Sequence, residues 1–370
     1  MAEKRLHIIS FDVPLPADYG GAIDVFYRLK ALHELGVKIT LHCYEYGRGE
    51  SSELEQYADL VIYYPRRKRL MDVLDKLPFI VKTRSSRALM RNLLFNDDPI
   101  LFEGLHTTFM LNDERLKNRI RMVRTHNIEH EYYGALAKQA TGFRKKFYQS
   151  EAKKLKTYEP RLKFATHIFA IKEDDAFYFK QYCKNTYVLP ACAFTESGAS
   201  EDTLPYCLFQ GNLSVPENEK GLLWLIDNVF APHNLTNKLK VAGKRPSEAV
   251  MQHCKQYDIE LIANPDDAQM TELIQEARVH VFYSHQDTGV KLKVVNALRS
   301  PGAILANKKM LHGSDFEHLC DETNSPEEYV ERINSYLISP VTEIHLELRN
   351  AFLEEHLNPV RNCRMISDLL

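Results

Sequence analysis

The sequence predicts an α/β protein with two doubly wound, Rossmann-like domains that face a cleft. Three observations support this fold class. Short apolar runs alternate with longer segments of helical periodicity along the whole chain, which is the pattern of β-α-β units on a parallel sheet. The alternation forms two series separated by residues 191–205, which are rich in small and polar residues and lack periodicity. The length of 370 residues is sufficient for two domains.

The domain boundaries follow from where the two series begin and end. Residues 1–190 are predicted to form an N-terminal domain, 191–205 a linker and 206–340 a C-terminal domain. Residues 341–370 are predicted to form a C-terminal helix that crosses back to the first domain. The predicted strands are short apolar runs at residues 5–11, 37–43, 59–63, 99–102, 121–125, 166–171, 186–189, 206–210, 239–241, 259–262, 279–283 and 303–306.

The first β-α-β unit is the clearest of the series. Its strand is followed by a loop rich in proline and glycine, and then by a helix with apolar residues on one face. Gly36 is predicted to end this helix in a left-handed conformation. Further predicted helices lie near residues 84–95, 144–162, 173–183, 217–230, 246–256, 267–277, 290–299, 325–337 and 341–357.

Composition narrows the class of protein. The formal net charge of −2 produces no overall field that would attract nucleic acid, so we expect no nucleic-acid partner. The N-terminal segment turns polar too early for a signal peptide, and no apolar run approaches the roughly 20 residues that span a bilayer. We therefore expect a cytoplasmic protein. The seven cysteines are scattered and include no C-x-x-C pair, which argues against a disulfide framework and a structural zinc site.

The candidate functional residues of the first domain lie in loops after predicted strands. Gly20 and Gly21 precede the first helix, where exposed backbone N–H groups at a positive helix end suit a phosphate or a sugar hydroxyl; a simple tight turn is the alternative. Glu103 follows one strand, and His126 and Glu129 follow another, so that imidazoles and carboxylates are available for proton transfer. Helix capping or pairing between neighbours is the alternative for any one of them.

The most informative segment of the second domain follows the apolar run 279–283. Gly289 lies at the start of a predicted helix, and Lys291 and Lys293 lie in its first turn. Cations next to a positive helix end are unfavourable unless an anion lies between them and the backbone amides, so the segment predicts a diphosphate site. Two solvated surface lysines are the alternative.

Two shorter segments at strand ends belong to the same predicted site. Gly211 and Asn212 end the first strand of the second domain, and Lys244 and Arg245 follow Gly243 at the end of the next. The second segment adds positive charge near a helix start. Ordinary strand-end turns would explain either segment by itself.

Together these motifs resemble the retaining family 4 type of GT-B glycosyltransferase. The resemblance covers nearly the whole chain, and it rests on the Gly20–Gly21 loop and on segments 125–129, 209–213, 242–244, 288–298 and 302–305. It implies that the C-terminal domain binds a nucleotide-sugar and the N-terminal domain the acceptor. It further implies that Gly20, Gly21 and Lys291 contact the diphosphate with help from Lys244 and Arg245, and that His126 lies near the transferred sugar.

The chain departs from this family at two positions. The family commonly has two glutamates, one touching the donor sugar and one the ribose hydroxyls, where this chain has Thr288 and Asn296. An amide accepts from one ribose hydroxyl and donates to the other, whereas a carboxylate only accepts. The resemblance implies metal-independent substitution with retention, in which the leaving diphosphate accepts the acceptor's proton, so we expect no metal and no other cofactor. The absence of a D-x-D motif agrees with this expectation.

Three functional hypotheses remain at this stage. The leading one is transfer of a hexose from a UDP- or GDP-linked sugar to a saccharide or lipid-linked acceptor in surface polysaccharide or glycoconjugate biosynthesis. A nucleotide-sugar epimerase would instead need an acid/base pair such as Glu103 or Glu129 with His126. A non-catalytic nucleotide- or carbohydrate-binding or assembly protein is the third. Basic segments near residues 66–91 and 145–163 suggest peripheral contact of the N-terminal domain with a membrane, with solvated helix faces as the alternative.

Overall fold

The structure, a computed structural model, describes residues 3–192, 203–286 and 292–370. The chain divides into two compact units. The first unit comprises Met1–Cys192 together with Pro359–Leu370, and the second comprises Ala193–Asn358. The first unit therefore contains both ends of the described chain.

The first unit is built on a parallel sheet of seven strands in the order β3-β2-β1-β4-β5-β6-β7. The order places β1 in the interior and reverses direction between β1 and β4, as in doubly wound folds. The strands are β1 (Arg5–Ser10), β2 (Lys38–Glu45), β3 (Leu60–Pro65), β4 (Ile100–Glu103), β5 (Arg121–Arg124), β6 (His167–Ala170) and β7 (Thr186–Val188).

Helices cover both faces of this sheet, and the apolar side chains between them form two buried clusters. The first helix ends as expected, since Gly36 has a φ of 75° in the left-handed region. The helices of this part of the chain are α1 (Gly20–Glu34), α2 (Phe79–Lys82), α3 (Arg87–Leu93), α4 (Glu129–Gln139), α5 (Gly142–Tyr158) and α6 (Glu173–Phe179).

The second unit repeats the same strand order on a parallel sheet of six described strands, β10-β9-β8-β11-β12-β13. The two parallel-sheet α/β domains confirm the predicted fold class. The strands are β8 (Leu204–Asn212), β9 (Leu239–Lys244), β10 (Glu260–Ala263), β11 (Ala277–Phe282), β12 (Ala303–Ala306) and β13 (Asp321–Glu322). The helices are α7 (Pro216–Leu225), α8 (Glu248–Gln256), α9 (Asp267–Glu276), α10 (Leu292–Leu298), α11 (Lys308–Leu311), α12 (Pro326–Ile338) and α13 (Glu343–His356).

The predicted boundaries differ from the observed units at the C-terminal end of the chain. Residues 341–370 were predicted to return to the first domain as one helix. In the structure α13 belongs to the second unit, and only Pro359–Leu370 belongs to the first. This last segment forms α14 (Pro359–Ser367), whose Cys363 and Ile366 are buried in an apolar cluster of the first unit. The predicted linker, 191–205, lies mostly outside the described residues, and β8 already begins at Leu204.

A chain of hydrogen bonds runs through the sheet of the first unit. Its three middle members, Tyr64, His42 and His7, are buried, whereas Asn92 at one end is half-buried and Asn96 at the other is exposed. Asn92 donates to the Tyr64 hydroxyl at 2.7 Å, and that hydroxyl lies 2.9 Å from Nδ1 of His42. Nε2 of His42 lies 2.9 Å from Nδ1 of His7, whose Nε2 lies 2.8 Å from Oδ1 of Asn96. Because Asn96 Oδ1 only accepts, one direction of donation satisfies every step, with both imidazoles neutral.

This arrangement predicts that acid destabilises the first unit. Burial, with the neighbouring His7 and Arg119, lowers the pKa of His42 to about 3, and burial also lowers the pKa of His7. The unfolded chain therefore binds protons below about pH 6.5 that the folded chain rejects, so stability is lost as the pH falls. For His42 we expect a loss of about 2 kcal/mol between about pH 7.5 and pH 5, measured by urea unfolding. A His42→Gln variant should show a shallower pH dependence, and an unchanged slope would contradict the assignment.

Among the helices of residues 3–192, 203–286 and 292–370, none is both long enough and apolar enough to cross a lipid bilayer.

Candidate functional site

The candidate residues of the first unit converge on the ring of Phe11, which follows β1 directly. The centroid of this ring lies 5.3 Å from that of His106 and 5.3 Å from that of His126. A Cβ on Gly21 would lie 2.8 Å from Cζ of Phe11, so the start of α1 passes close to the same ring. Three loops that are distant in sequence therefore meet at the carboxyl edge of the sheet, as expected for ligand sites in parallel sheets.

The predicted glycine pair opens α1. The helix begins at Gly20 after Tyr19, and it has neither a side-chain cap nor an acidic residue in its first turn. The hydroxyl of Tyr19 donates to Oδ2 of Asp12 at 3.0 Å, which ties the preceding loop to the residue after Phe11. The N-terminal amides of this 15-residue helix thus retain their positive end for an anion or a hydroxyl.

A buried ion-pair network lies behind His126. Arg28 donates to both oxygens of Glu103 at 2.8 Å and to the oxygens of Asp24 at 3.1 and 2.8 Å. Nε of Arg124 donates to Oδ2 of Asp24 at 3.2 Å. His126 joins the network at both ring nitrogens, with Nε2 3.3 Å from Glu103 Oε2 and Nδ1 3.7 Å from Asp24 Oδ2. Two carboxylates therefore orient the imidazole.

The arginines keep both carboxyl groups ionised. Burial by itself would raise the pKa of Asp24, but the charges of Arg124 and Arg28 outweigh burial and hold the pKa far below its ordinary value. Burial would also raise the pKa of Glu103, but the charge of Arg28 and the hydrogen bond with His126 outweigh it and lower the pKa. Glu103 was predicted as an acid or base for proton transfer. In the structure Glu103 is 1% exposed and both of its carboxylate oxygens accept hydrogen bonds from Arg28, and its role in proton transfer stays a prediction.

The same residues contain a set of donors with metal-ligand chemistry. One ligand atom each from Asp24, Glu103 and His126 lies within 4.8 Å of the others. The carboxylate oxygens of the set already accept hydrogen bonds from Arg28 and Arg124. A divalent cation at this point would be repelled by two guanidinium groups, so the arrangement favours an ion-pair network over a metal centre.

Glu129 and His106 form a second pair beside Phe11. Glu129 begins α4 and is 3% exposed, and its Oε1 lies 4.0 Å from Nδ1 of His106. Burial and the nearby Glu159 carboxylate raise the pKa of Glu129 to about 8, although the Arg84 charge opposes them. Burial and the Arg84 charge lower the pKa of His106 well below its ordinary value. A neutral carboxylic acid therefore faces a neutral imidazole at neutral pH.

The backbone at Gly104 makes this placement of His106 feasible. Gly104 has a φ of 70°, and a Cβ at this position would lie 2.7 Å from Nδ1 of His106. Any other residue would be strained and would push the imidazole away from Glu129. Nδ1 is buried and has no hydrogen-bond partner among the described residues.

In the second unit, the strand-end segment Gln210–Asn212 is tied to two helices. Gln210 donates to the carbonyl of Lys293 at 2.8 Å, and Asn218 donates to the carbonyl of Asn212 at 2.9 Å. Nζ of Lys293 donates to Oδ1 of Asn218 at 2.8 Å. Gly211 closes the segment, since its carbonyl oxygen lies 1.9 Å from where a Cβ on the paired Gly243 would be. The end of β8 and the starts of α7 and α10 therefore form one hydrogen-bonded corner.

The central candidates of this unit, Thr288, Gly289 and Lys291, lie outside the described residues. Asn296 lies within α10 and belongs to the residues that the structure describes. Its amide oxygen is buried and has no hydrogen-bond partner among the residues described. The resemblance implies that the residue at this position binds a ribose hydroxyl, and an unpaired amide oxygen has the capacity to accept such a hydrogen bond.

Lys244 and Arg245 lie at the end of β9. Nζ of Lys244 lies 3.8 Å from Oδ1 of Asp267. Arg245 is exposed, has a φ of 51°, and its backbone N–H donates to Oδ1 of Asn264 at 2.7 Å. Both residues thus belong to a tight strand-end turn and carry positive charge at the carboxyl edge of the second sheet.

Glu217 was not predicted from the sequence, and it anchors the loop that leads into the central candidates. Its Oε1 accepts from the Ser284 hydroxyl at 2.5 Å and from the backbone N–H groups of His285 and Gln286 at 2.8 and 3.2 Å. One carboxylate oxygen therefore holds three consecutive residues.

Asp24 and Arg28 of the first unit were also not predicted from the sequence as site residues, although their four-residue spacing on the apolar face of a helix was a visible signal.

The sequence predicts a diphosphate site directly after loop 284–286. On that prediction we expect Glu217→Ala to weaken nucleotide binding roughly tenfold, because three donors of this loop lose their acceptor. The measurement is calorimetric titration with UDP. Glu219→Ala, on the same turn of α7, is the matched control and should bind as the unmodified chain does. Equal affinities of the two variants would show that Glu217 does not position the site.

Comparison with known proteins gives one curated relative and many similar structures. No family model matches the chain. The chain is 26% identical over 338 residues, 85% of both proteins, to an uncharacterized 44.6 kDa protein in the cps region of Klebsiella pneumoniae.

Three of the similar solved structures match over nearly the whole chain. The lipopolysaccharide-biosynthesis glycosyltransferase WaaG superimposes with a TM-score of 0.64 at 11% identity, over 98% of this chain and 99% of its own. Staphylococcus aureus TarM, in a complex that contains UDP, gives 0.67 at 11% identity over 99% of each chain. Anabaena HepE, in complex with UDP and glucose, gives 0.61 at 12% identity over 100% of this chain and 99% of its own. At these identities the similarity establishes the fold.

Proposed function

We propose that this chain, which has the GT-B fold, is a glycosyltransferase that takes a sugar from a nucleotide-sugar donor and transfers it to a saccharide acceptor. The observation that carries the proposal is full-length similarity to structures of glycosyltransferases, including HepE with UDP and glucose. The match covers both units, each with a doubly wound sheet and candidate residues at its carboxyl edge. Neither unit has the sequence elements of a P-loop or of the dinucleotide fingerprint at its first strand.

The second unit is the proposed donor-binding unit. The corner formed by Gly211, Asn212 and Lys293 presents backbone and cationic groups. The amide oxygen of Asn296, which has no hydrogen-bond partner among the described residues, is assigned as the acceptor of a hydrogen bond from a ribose hydroxyl. Lys291, Thr288 and Gly289 are assigned to the diphosphate and donor sugar from the sequence resemblance. Lys244 and Arg245 supply further positive charge to the leaving diphosphate, so that no metal ion is required.

The first unit is the proposed acceptor-binding unit. His126 is assigned to the transferred sugar from the sequence resemblance, and the assignment is supported by Glu103 and Asp24, which lie beside its two ring nitrogens and would fix the orientation of the ring. Gly20 and Gly21 present the N-terminus of α1 to the diphosphate or to a hydroxyl. Because the protonated Glu129 and the neutral His106 each donate or accept without carrying charge, they suit recognition of acceptor hydroxyls.

The proposed chemistry is substitution of a hexose with retention from a UDP- or GDP-linked donor. The acceptor hydroxyl attacks the anomeric carbon on the face that the diphosphate leaves, and the departing diphosphate takes the hydroxyl proton. The residues of the chain bind and orient both substrates and neutralise the developing charge. A protein nucleophile is not needed, and Glu103, bonded to Arg28 at both oxygens, is placed as a positioning residue.

The proposed pathway is the assembly of a surface polysaccharide or glycoconjugate. The relative encoded in a cps region supports it. Peripheral contact with a membrane forms part of the same proposal, since Met71 and Leu74 are 79% and 84% exposed and follow a run of basic residues. A short exposed apolar segment next to lysine and arginine is suited to an anionic lipid surface.

The test is calorimetric titration of the purified chain with UDP and with GDP in the presence of EDTA. Saturable binding of one nucleotide is expected, and it identifies the donor base for a screen of sugars. Binding of neither nucleotide would overturn the donor assignment and favour a non-catalytic role. Incubation of the chain with the matching nucleotide-sugar and no acceptor distinguishes a glycosyltransferase from an epimerase, because only the epimerase would release an isomerised nucleotide-sugar.

We predict that Lys291→Ala abolishes detectable binding of the nucleoside diphosphate, because it removes the cation assigned to the diphosphate. The free energy of unfolding should change by less than about 0.5 kcal/mol if this lysine makes no structural contact. Lys308→Ala is a matched control, since it removes the same charge from a helix elsewhere in the unit. Unchanged affinity of the Lys291→Ala variant would refute the assignment of the phosphate site.

A further inference from the structure

Three basic residues near the Phe11 site have no role in the scheme above. They are Arg66 and Lys68, which follow β3, and Arg84, which lies just after α2. Their charged groups surround the ring of Tyr46, which follows β2. Cζ of Arg66 lies 4.4 Å from the ring centroid, Nζ of Lys68 lies 4.2 Å from it, and Cζ of Arg84 lies 5.7 Å from it. We define these four residues as the Tyr46 cluster.

The innermost member of the Tyr46 cluster is a buried guanidinium bonded to neutral groups. Arg84 is 2% exposed, and it donates through Nε to the Phe11 carbonyl at 2.8 Å and through Nη1 to the Ile80 carbonyl at 2.7 Å. Within the described part of the chain, no carboxylate lies within ion-pair distance of its guanidinium. Burying a cation without a counter-charge is unfavourable, so the fold holds Arg84 there against a cost in free energy.

The other two cations increase this cost. Burial and then the Arg66 charge lower the pKa of Arg84 to about 10, and burial with the charges of Arg66 and Arg84 lowers the pKa of Lys68. Stacking on Tyr46 compensates only in part. Arg84 is buried, Arg66 is half-buried and Lys68 is exposed, so the positive charge extends from the interior to solvent.

The acidic groups that face the cluster do not neutralise it. Asp12 is the carboxyl group whose charge acts on both Arg84 and Lys68. Burial raises the pKa of Asp12, and its two oxygens already accept hydrogen bonds from the Tyr19 hydroxyl and the N–H of Val13. Glu129 is mostly protonated at neutral pH, since its pKa is about 8. His106 is neutral there too. The cluster therefore retains an excess of positive charge, which an oxyanion would relieve.

The position of the cluster relates it to the acceptor. Arg84 binds the carbonyl of Phe11, and the ring of Phe11 lies beside His106 and His126. We propose that Arg84, Arg66 and Lys68 bind an oxyanion, a phosphate or a carboxylate, carried by the acceptor saccharide. That the anion is carried by the acceptor rests on the proposed function, whereas the anion site itself rests on the Tyr46 cluster alone. Guanidinium and ammonium groups bind both oxyanions, so phosphate and carboxylate are sources that the experiment must separate.

The experiment is a calorimetric titration of the full chain at about pH 7 with three probes: glucose 1-phosphate, glucuronate and neutral glucose. The test variant is Arg66→Gln with Lys68→Gln, which leaves the buried Arg84 in place. The matched control is Arg67→Gln with Arg69→Gln, which removes the same charge from exposed positions in the same segment. A parallel titration with UDP is made on each sample.

We expect at least one charged probe to bind and glucose not to bind detectably. The test variant should lose at least tenfold in affinity for that probe, because it removes two of the three cations that lie over the Tyr46 ring. The control should stay within about twofold, because Arg67 and Arg69 are not members of the Tyr46 cluster. Preference for glucose 1-phosphate indicates a phosphorylated acceptor, and preference for glucuronate indicates an acidic sugar. UDP affinity should be the same in both variants.

Two results would overturn the inference. One is that neither charged probe binds while UDP does, which leaves the proposed function standing. The other is equal loss in both variants, which shows that net charge alone attracts the probes. Binding of a charged probe without any binding of UDP would have the opposite meaning, since the anion site would stand and the proposed function would fail.

Discussion

Replacing Arg28 with methionine is expected to lower the free energy of unfolding of the first unit by about 3–5 kcal/mol. The substitution removes the shared partner of Asp24 and Glu103, which are 1% exposed and ionised. Two buried carboxylates are then left with the Arg124 guanidinium and the His126 ring as their remaining side-chain partners in the network. Urea unfolding followed by circular dichroism measures the loss. The fluorescence of Trp224, the sole tryptophan, reports on the second unit and serves as an internal reference.

The control for this prediction is Arg87→Met, which removes an exposed arginine from α3 and should change stability by less than about 0.5 kcal/mol. Combining Arg28→Met with Glu103→Gln should recover part of the loss, since one buried charge is removed with its partner. A loss below about 1 kcal/mol in Arg28→Met would mean that the network is hydrated and that its charges are not buried as described.

The second large effect has the opposite sign. We expect Glu129→Gln to raise the free energy of unfolding by about 3 kcal/mol at pH 7. Burial and Glu159 raise the pKa of Glu129 to about 8, so the folded chain must hold a proton that the unfolded chain releases above about pH 4.5. Stability is therefore lost as the pH rises from about 4.5 toward 8. Glutamine is neutral and of the same shape, so it removes this loss.

The pH profile distinguishes this cause from a general effect of the substitution. The gain should vanish near about pH 4.5, where the carboxyl group is protonated in both states. Glu131→Gln, at an exposed position on the same helix, should show no gain at either pH. A gain independent of pH would mean that Glu129 is ionised in the folded chain. If Glu129→Gln also reduces sugar transfer, the proton on the Glu129 carboxyl group takes part in acceptor recognition. The chain would then keep a destabilising residue because its activity requires it.

Much of the fold was accessible from the sequence because its signals are local. Each of the twelve predicted strands corresponds to a strand of the structure, since a buried parallel strand is a short apolar run between turn residues. The two-residue strand β13, the four-residue helices α2 and α11, and the longer helix α4 were not predicted. β13 is too short to carry a pattern, and α4 begins with Glu129-His130-Glu131, where polar residues conceal the helical period.

The candidate site was only partly accessible from the sequence. His126, Glu103 and Glu129 were selected because they follow strands, and the structure brings His126 and Glu103 together with a contact of 3.3 Å. Their protonation states could not be predicted, because Glu103 and Glu129 are both buried glutamates. One faces Arg28 and keeps its charge, while the other faces Glu159 and loses it.

The sequence by itself determined the two doubly wound domains and the loops in which polar residues collect, because strand periodicity, glycine positions and apolar runs are written in neighbouring residues. Only the tertiary structure decided which charges meet. Arg28 and Glu103 are 75 residues apart and Arg84 and Phe11 are 73 apart, yet each pair is joined by a hydrogen bond of 2.8 Å. Charge pairing depends on distance and burial in space, and the folding of distant segments onto one sheet edge sets both.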